Sequence, residues 1–180
     1  SPVHRFLSRW LSDWFTVALY EVNLLAKVFL HQKKFQIMDE FMVSAIAQAK
    51  QGLKEGGIPI GSVLVREGTI LGQGHNKRVQ DNDPVTHAEI DCLRNAGRIG
   101  SYRDTILYST LMPCYLCAGA VVQFGIKKVI AGEAETFSGA QAFLEESGVE
   151  VINLDLEECK QLMADFIHNN PRLWNEDIGN

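Results

Sequence analysis

Apolar residues fall along this chain in two patterns, spaced three and four apart as on one face of a helix, or gathered in short runs as in buried strands. Over residues 39–54, Phe41, Met42, Ala45, Ile46, Ala49 and Leu53 fall three and four apart, which predicts an amphipathic helix stopped by Glu55-Gly56-Gly57. Residues 60–65 are apolar and β-branched, Arg66-Glu67-Gly68 makes a turn, and residues 69–74 continue, so a β-hairpin is expected. Residues 76–85 are polar, with Asp81-Asn82-Asp83-Pro84 as a loop. Thr86 is placed to cap a helix running to about Ala96. A buried strand follows at 105–110. Pro113 then opens a helix that ends at Gly125, since proline is favoured at or near the first helical position. Beyond it come a strand at 127–131, a short helix at 140–146, a strand at 149–154 and a helix at 156–167. Residues 171–178 read as a short polar-aromatic tail. There is no internal repeat and no low-complexity run.

A hairpin followed by alternating helices and strands predicts a mixed sheet with helices on both faces. The helices that start near His87 and Cys114 both follow strand-side elements. Their N-termini are therefore expected to meet at one end of the sheet, where open α/β folds place their ligands.

Residues 1–37 differ from this pattern. Trp10, Trp14, Phe15, Tyr20, Leu24, Leu25, Val28 and Phe29 are interspersed with Asp13, Glu21, Asn23 and Lys27, which fits an amphipathic helix over about residues 10–30. Met38-Asp39-Glu40 then opens a second helical pattern that could itself start a protein. The expected organisation is an N-terminal extension over 1–37 and one domain over 38–180. Asp13 and Glu21 argue against a transit peptide, which is poor in acidic residues. A docking helix for a partner or a membrane surface is the other alternative.

Charge narrows the choice of ligand. The formal net charge of the 180 residues is −5. Residues 1–37 carry five Lys/Arg and two Asp/Glu, and the remaining residues carry twelve and twenty, so the main body stands at −8. An acidic body gives no electrostatic reason to bind nucleic acid and favours a small or neutral ligand. No stretch approaches the run of about 18 uncharged apolar residues that a membrane span needs. Cys92, Cys114, Cys117 and Cys159 are too few for a disulfide scaffold, and no secretory signal stands out. A reducing, cytoplasmic compartment is expected, and there a close cysteine pair points to metal or redox chemistry.

Two short segments carry the chemistry: Thr86-His87-Ala88-Glu89 and Pro113-Cys114-Tyr115-Leu116-Cys117. Three residues apart at a helix start, both sulfurs can face one point, where backbone N–H groups and the helix dipole favour thiolates. One histidine and two cysteines supply three zinc ligands and leave the fourth position for water, as in catalytic zinc sites. Glu89 follows His87 by two residues and can take a proton from water at such a metal. A Cys-x-x-Cys alone could equally be a redox pair or half of a structural zinc site, but no second pair completes one. The combination matches the signature of zinc deaminases. Gly72-Gln73-Gly74 lacks the third glycine of a dinucleotide fingerprint. Cys92 and Cys159 fall in helical patterns as core residues, and His4, His31, His75 and His168 have no matching partner.

These stretches resemble the cytidine deaminase-like superfamily, and more closely the small cytosine deaminases of the fungal type and their bacterial relatives. The resemblance runs from about Met38 to Asn180. It also rests on Gly56-Gly57-Ile58-Pro59-Ile60-Gly61, Gly72-Gln73-Gly74-His75-Asn76, the run 110–120, and the tail Trp174-Asn175-Glu176-Asp177-Ile178-Gly179. Met112 and Ala88 stand where the fungal proteins commonly carry a small polar residue and a glycine. The resemblance implies a three-layer α/β/α fold around a mixed five-stranded sheet, one zinc ion per chain on His87, Cys114 and Cys117, and Glu89 as proton shuttle. It further implies that Asn76 bonds the N1/O2 edge of a pyrimidine, helped by the Ala88 N–H. Phe137 and Trp174 would pack on the base, Asp177 would accept from its amino group, and Ile60 and Leu111 would line the pocket. Deamination of free cytosine by a homodimer is the implied activity, with no nucleic-acid or membrane partner. Its rivals are deamination of guanine, another aminated heterocycle or tRNA adenosine, and, in another class, a structural zinc or redox protein.

Overall fold

The computed structural model describes residues 39–179, and the helix expected over about residues 10–30 lies outside them. Helix α1 (Glu40–Lys54) opens on Asp39, whose carboxylate accepts from the Phe41 N–H at 3.0 Å. Strands β1 (Gly61–Arg66) and β2 (Thr69–His75) form the hairpin. After them come α2 (Arg78–Asp81), α3 (Ala88–Ala96), β3 (Ile106–Ser109), α4 (Tyr115–Phe124), β4 (Lys128–Ala131), α5 (Gln141–Glu146), β5 (Glu150–Asn153), α6 (Glu157–Asn169) and α7 (Pro171–Ile178).

The strands line up as β2-β1-β3-β4-β5. β1 is antiparallel to β2 and β3, whereas β3, β4 and β5 run parallel. This is the expected mixed five-stranded sheet with helices on both faces. Side chains alternate across a strand, so β1 serves both layers. Val63 and Val65 pack with Met42, Ala45 and Ile46 of α1 and Cys159 of α6. Leu64 packs on the other face with Cys92, Leu93, Ala118, Val121 and Leu144. Each fully buried Leu, Met or Val in these layers contributes about 1.5–3 kcal/mol. A third cluster holds Ile58, Ile60, Ala88, Leu111, Met163, Phe166 and Trp174, and brings α6 and α7 against the segments that carry the site.

The glycines of Gly72-Gln73-Gly74 have a packing role. A Cβ on Gly72 would stand 2.5 Å from the Cys92 carbonyl oxygen, and one on Gly74 would stand 2.5 Å from the Cys92 nitrogen. α3 therefore lies directly on β2, and this close approach fixes the height of the helix start that bears His87 and Glu89.

Several local expectations change. Thr86 does not cap α3: its hydroxyl donates to Asp83 Oδ2 at 2.6 Å, and His87 takes the N-cap position. α4 begins at Tyr115 with Cys114 as N-cap, which leaves Pro113 just outside the helix. The tail at 171–178 is itself helical, with Pro171 in its first turn and Gly179 left-handed (φ 73°) after its end. The short α2 interrupts the polar stretch 76–85.

Candidate active site

The two helix starts converge as expected. His87 and Cys114 are the N-caps of α3 and α4, and neither makes the usual side-chain capping hydrogen bond. A capping side chain normally satisfies the free N–H groups of the first turn. Here the imidazole and the thiol are instead turned toward each other. Ligand atoms of His87, Cys114 and Cys117 all lie within 4.8 Å of one another. Cys114 Sγ is 3.4 Å from His87 Nδ1, and His87 Nε2 is 3.5 Å from Asp177 Oδ1. Nδ1 thus faces Cys114 Sγ while Nε2 faces a carboxylate, the kind of outer partner that orients a metal-binding histidine.

Electrostatics fit the same purpose. The hydrogen bond from Cys117 brings the Cys114 thiol down to about 4 against the effect of burial, and His87 adds to the lowering. The same pairing, together with burial, pushes the Cys117 thiol up. Burial opposes protonation of His87, but Cys114, Asp177 and Glu89 together raise its pKa. One nitrogen and two sulfurs gathered at a point suit a borderline-soft cation such as zinc, and three protein ligands leave a fourth position open.

Glu89 sits in the first turn of α3 and is 4% exposed. Ser109, at the end of β3, donates to Glu89 Oε1 at 3.0 Å. Burial pushes the Glu89 carboxyl up, and the charge on Cys114 adds to the rise. A buried carboxyl raised in this way, beside a site for a metal ion, is suited to both accept and return a proton.

A cavity of about 410 Å³ opens over this group. His87, Glu89, Cys114, Ile60, Leu111, Phe137, Trp174 and Asp177 line it. Phe137 and Trp174 meet edge to face, with ring centroids 6.0 Å apart. Asn76, Ala88 and Cys117 are buried and lie off the lining. Asn76 is nonetheless adjacent, because its N–H donates to the Ile60 carbonyl at 3.0 Å. Asn76 Oδ1 accepts from the Arg78 N–H at 3.1 Å, while its buried Nδ2 has no partner among the described residues. Asp177 is paired with Arg78, Nη1 to Oδ1 at 2.7 Å. Burial raises the Asp177 carboxyl, against the pull of His87 and Arg78.

Sequence reasoning passed over Ser109 and Arg78, the latter on the cavity lining, whereas Met112, singled out as a departure from the fungal proteins, lines the cavity too. Ser109 lies within the predicted strand 105–110 and Arg78 in a polar stretch, so neither position carried a signal. Arg78 and Asp177 are 99 residues apart in sequence.

A nitrogen and two sulfurs on paired helix ends, beside a buried carboxylate on α3, make a site that can hold a metal ion next to a proton-transferring group. The model of the cytidine and deoxycytidylate deaminase zinc-binding region matches residues 36–133, and the chain belongs to that family. A cytosine deaminase of Candida albicans is 49% identical over 138 residues, covering 75% of this chain and 92% of the relative. A tRNA-specific adenosine deaminase of Buchnera aphidicola is 34% identical over 140 residues, covering 72% and 93%. Among solved structures, one from work on A-to-I editing by tRNA:A34 deaminases superposes with a TM-score of 0.62 at 27% identity, covering 68% of this chain and 98% of that one. A guanine deaminase from Nitrosomonas europaea shares the fold with a TM-score of 0.60 at 18% identity, covering 70% and 82%.

Proposed function

We propose that this chain hydrolyses free cytosine to uracil and ammonia, as a step in pyrimidine salvage, with one zinc ion held by His87, Cys114 and Cys117. The observation that carries this reading is the closure of α7 on the metal site. Trp174 is 6% exposed against Phe137, and Asp177 of the same helix stands 3.5 Å from His87. Such a wall admits a flat base and crowds out a ribose. The Candida relative, named a cytosine deaminase, supports the same substrate.

Zinc bound there supplies a Lewis acid and brings the pKa of a water to about 7. Glu89, held by Ser109, would take a proton from the attacking water and deliver it to ring N3 as the water oxygen adds to C4. It then passes the second proton to the exocyclic nitrogen. The C4–N4 bond breaks, ammonia leaves, and C4 keeps its oxygen as the uracil carbonyl. Asn76 donates through Nδ2 to the pyrimidine O2, the polarity left by its contact with the Arg78 N–H. The Ala88 N–H, at the first helical position and so without an intrahelical partner, assists at that edge. Phe137 and Trp174 cover the ring, Ile60 and Leu111 pack beside it, and Asp177 accepts from the amino group.

Deamination of tRNA adenosine is the second reading, favoured by relatives at 34–35% identity. The −8 charge of residues 38–180, with Glu176 and Asp177 on the cavity, offers RNA phosphates no basic track. We place the enzyme in the reducing cytoplasm, which suits its four unpaired cysteines. We further propose a homodimer formed through α4, where Tyr115 (68% exposed), Leu116 and Phe124 present apolar surface. No helix among the described residues is long and apolar enough to cross a membrane.

The test is ammonia release from cytosine, guanine and a tRNA stem-loop by the zinc-loaded protein. Cytosine is expected to be the substrate, and release from the stem-loop alone would overturn the reading. We also propose that residues 38–180 form the whole deaminase domain. Removing residues 1–37 is expected to leave zinc content and cytosine turnover within about twofold. A truncated chain that folds and binds zinc yet no longer deaminates would show that the extension completes the site.

A further inference from the structure

Arg78 lies in α2, a single helical turn, yet it touches both edges of the cavity. Its backbone N–H donates to Asn76 Oδ1 at 3.1 Å. Its guanidinium donates from Nη1 to Asp177 Oδ1 at 2.7 Å, and from Nε to the Pro84 carbonyl at 3.2 Å. The Arg78 and Asp177 side chains are only 10% and 6% exposed, whereas Glu176, 3.4 Å from Nη2, is 70% exposed and adds little. One residue therefore joins the β2–α3 connection to the last helix of the described chain.

We propose that Arg78 is the positioning residue of this pocket, fixing Asp177 and latching α7 over the bound base. The Pro84 carbonyl holds one side of the guanidinium plane, so the fork is aimed before α7 arrives. Asp177 then meets a preset donor, and docking it seats Trp174 three residues earlier on the same helix against Phe137. Without Arg78 the Asp177 carboxylate would be buried with no cation beside it and only the His87 ring within reach, and α7 would lose its polar anchor. The backbone contact to Asn76 survives substitution by alanine or lysine, so these variants report the guanidinium contacts to Pro84 and Asp177, and the cycle with Asp177→Asn isolates the Asp177 arm.

The kinetic part of the test rests on the cytosine reading, and the exchange part does not. Arg78→Ala is expected to lower kcat/KM for cytosine about 10²-fold, because removing one partner of a buried charge pair strands the other. Most of the loss should appear in KM, with zinc content unchanged. Arg78→Lys should recover about tenfold, since an ammonium restores the charge without the planar fork. In a double-mutant cycle with Asp177→Asn, the double variant should be no worse than the poorer single variant. Independently of substrate, backbone amides of residues 173–178 should exchange with deuterium at least tenfold faster in Arg78→Ala and in Asp177→Asn, with those of α1 unchanged. Additive kinetic losses, or unchanged exchange in α7, would overturn the latch. If the parent protein releases no ammonia from cytosine while α7 exchange still accelerates, the substrate reading falls and the latch stands. Should Arg78→Ala fail to fold, Arg78→Lys and Asp177→Asn decide the matter by exchange.

Discussion

Glu89→Gln is expected to keep one zinc per chain while kcat for cytosine falls by roughly 10³-fold or more. A positioned general acid–base group is worth about 10²–10⁴-fold. Glu89 is assigned two successive transfers, so the upper part of that range applies. The amide keeps the shape of the carboxylate, and its oxygen can still accept from Ser109, which now bonds Glu89 Oε1 at 3.0 Å. It cannot take a proton from water. The KM for cytosine should move little, because the ring is held by other groups. Elemental analysis and uracil formation check both halves. Activity within tenfold of the parent would remove Glu89 from the proton path.

The second large effect is expected from Cys114→Ala, which should bring zinc near zero and abolish turnover together. Cys114 carries the sulfur already held as thiolate near neutral pH, and it lies 3.4 Å from His87 Nδ1. Its loss leaves two ligands, too few for a stable zinc site. The melting temperature should fall as well, because metal binding and folding are coupled where ligands come from separate elements. Here they come from the starts of α3 and α4. A variant that retains full zinc would refute the ligand assignment.

Much of the architecture could be read from periodicity. Each strand lies within a residue or two of its predicted range, as with 105–110 against Ile106–Ser109 and 149–154 against Glu150–Asn153. The continuous apolar run of β1 reflects burial on both faces of the sheet, and the 3.6 period of α1 reflects burial of one helix face against it, so the two signals agreed. The tail was harder. Pro171 and Gly179 are start and stop signals, but Trp174 is the only residue of α7 that is fully packed. One buried aromatic does not make a visible apolar stripe. Thr86 illustrates the opposite error, since a good capping residue was present. Its hydroxyl bonds Asp83 instead, and His87, a poor cap, holds the cap position because its ring faces the cysteines.

At the site, His87, Glu89, Cys114 and Cys117 could be picked out because residue type and spacing together carry the chemistry. Asn76, Phe137, Trp174 and Asp177 came only through family resemblance, since nothing local links residue 76 to residue 177. Arg78 was invisible for the same reason: its partner is brought near by the packing of α7 on the Ile60–Leu111 cluster. The glycine pair 72 and 74 shows how a motif can be rejected for one role and still be required. Its function is the close approach of α3 to β2, which only the backbone reveals.

Comparison of kcat/KM for cytosine and cytidine with the zinc-loaded protein tests the substrate assignment most directly. Cytosine is expected to be favoured by at least about 10²-fold. A ribose must displace Trp174 or Phe137, and each buried polar group left unpaired by the misfit costs about 1–3 kcal/mol. Equal values, or faster turnover of cytidine, would contradict the cytosine assignment while leaving the zinc deaminase chemistry in place.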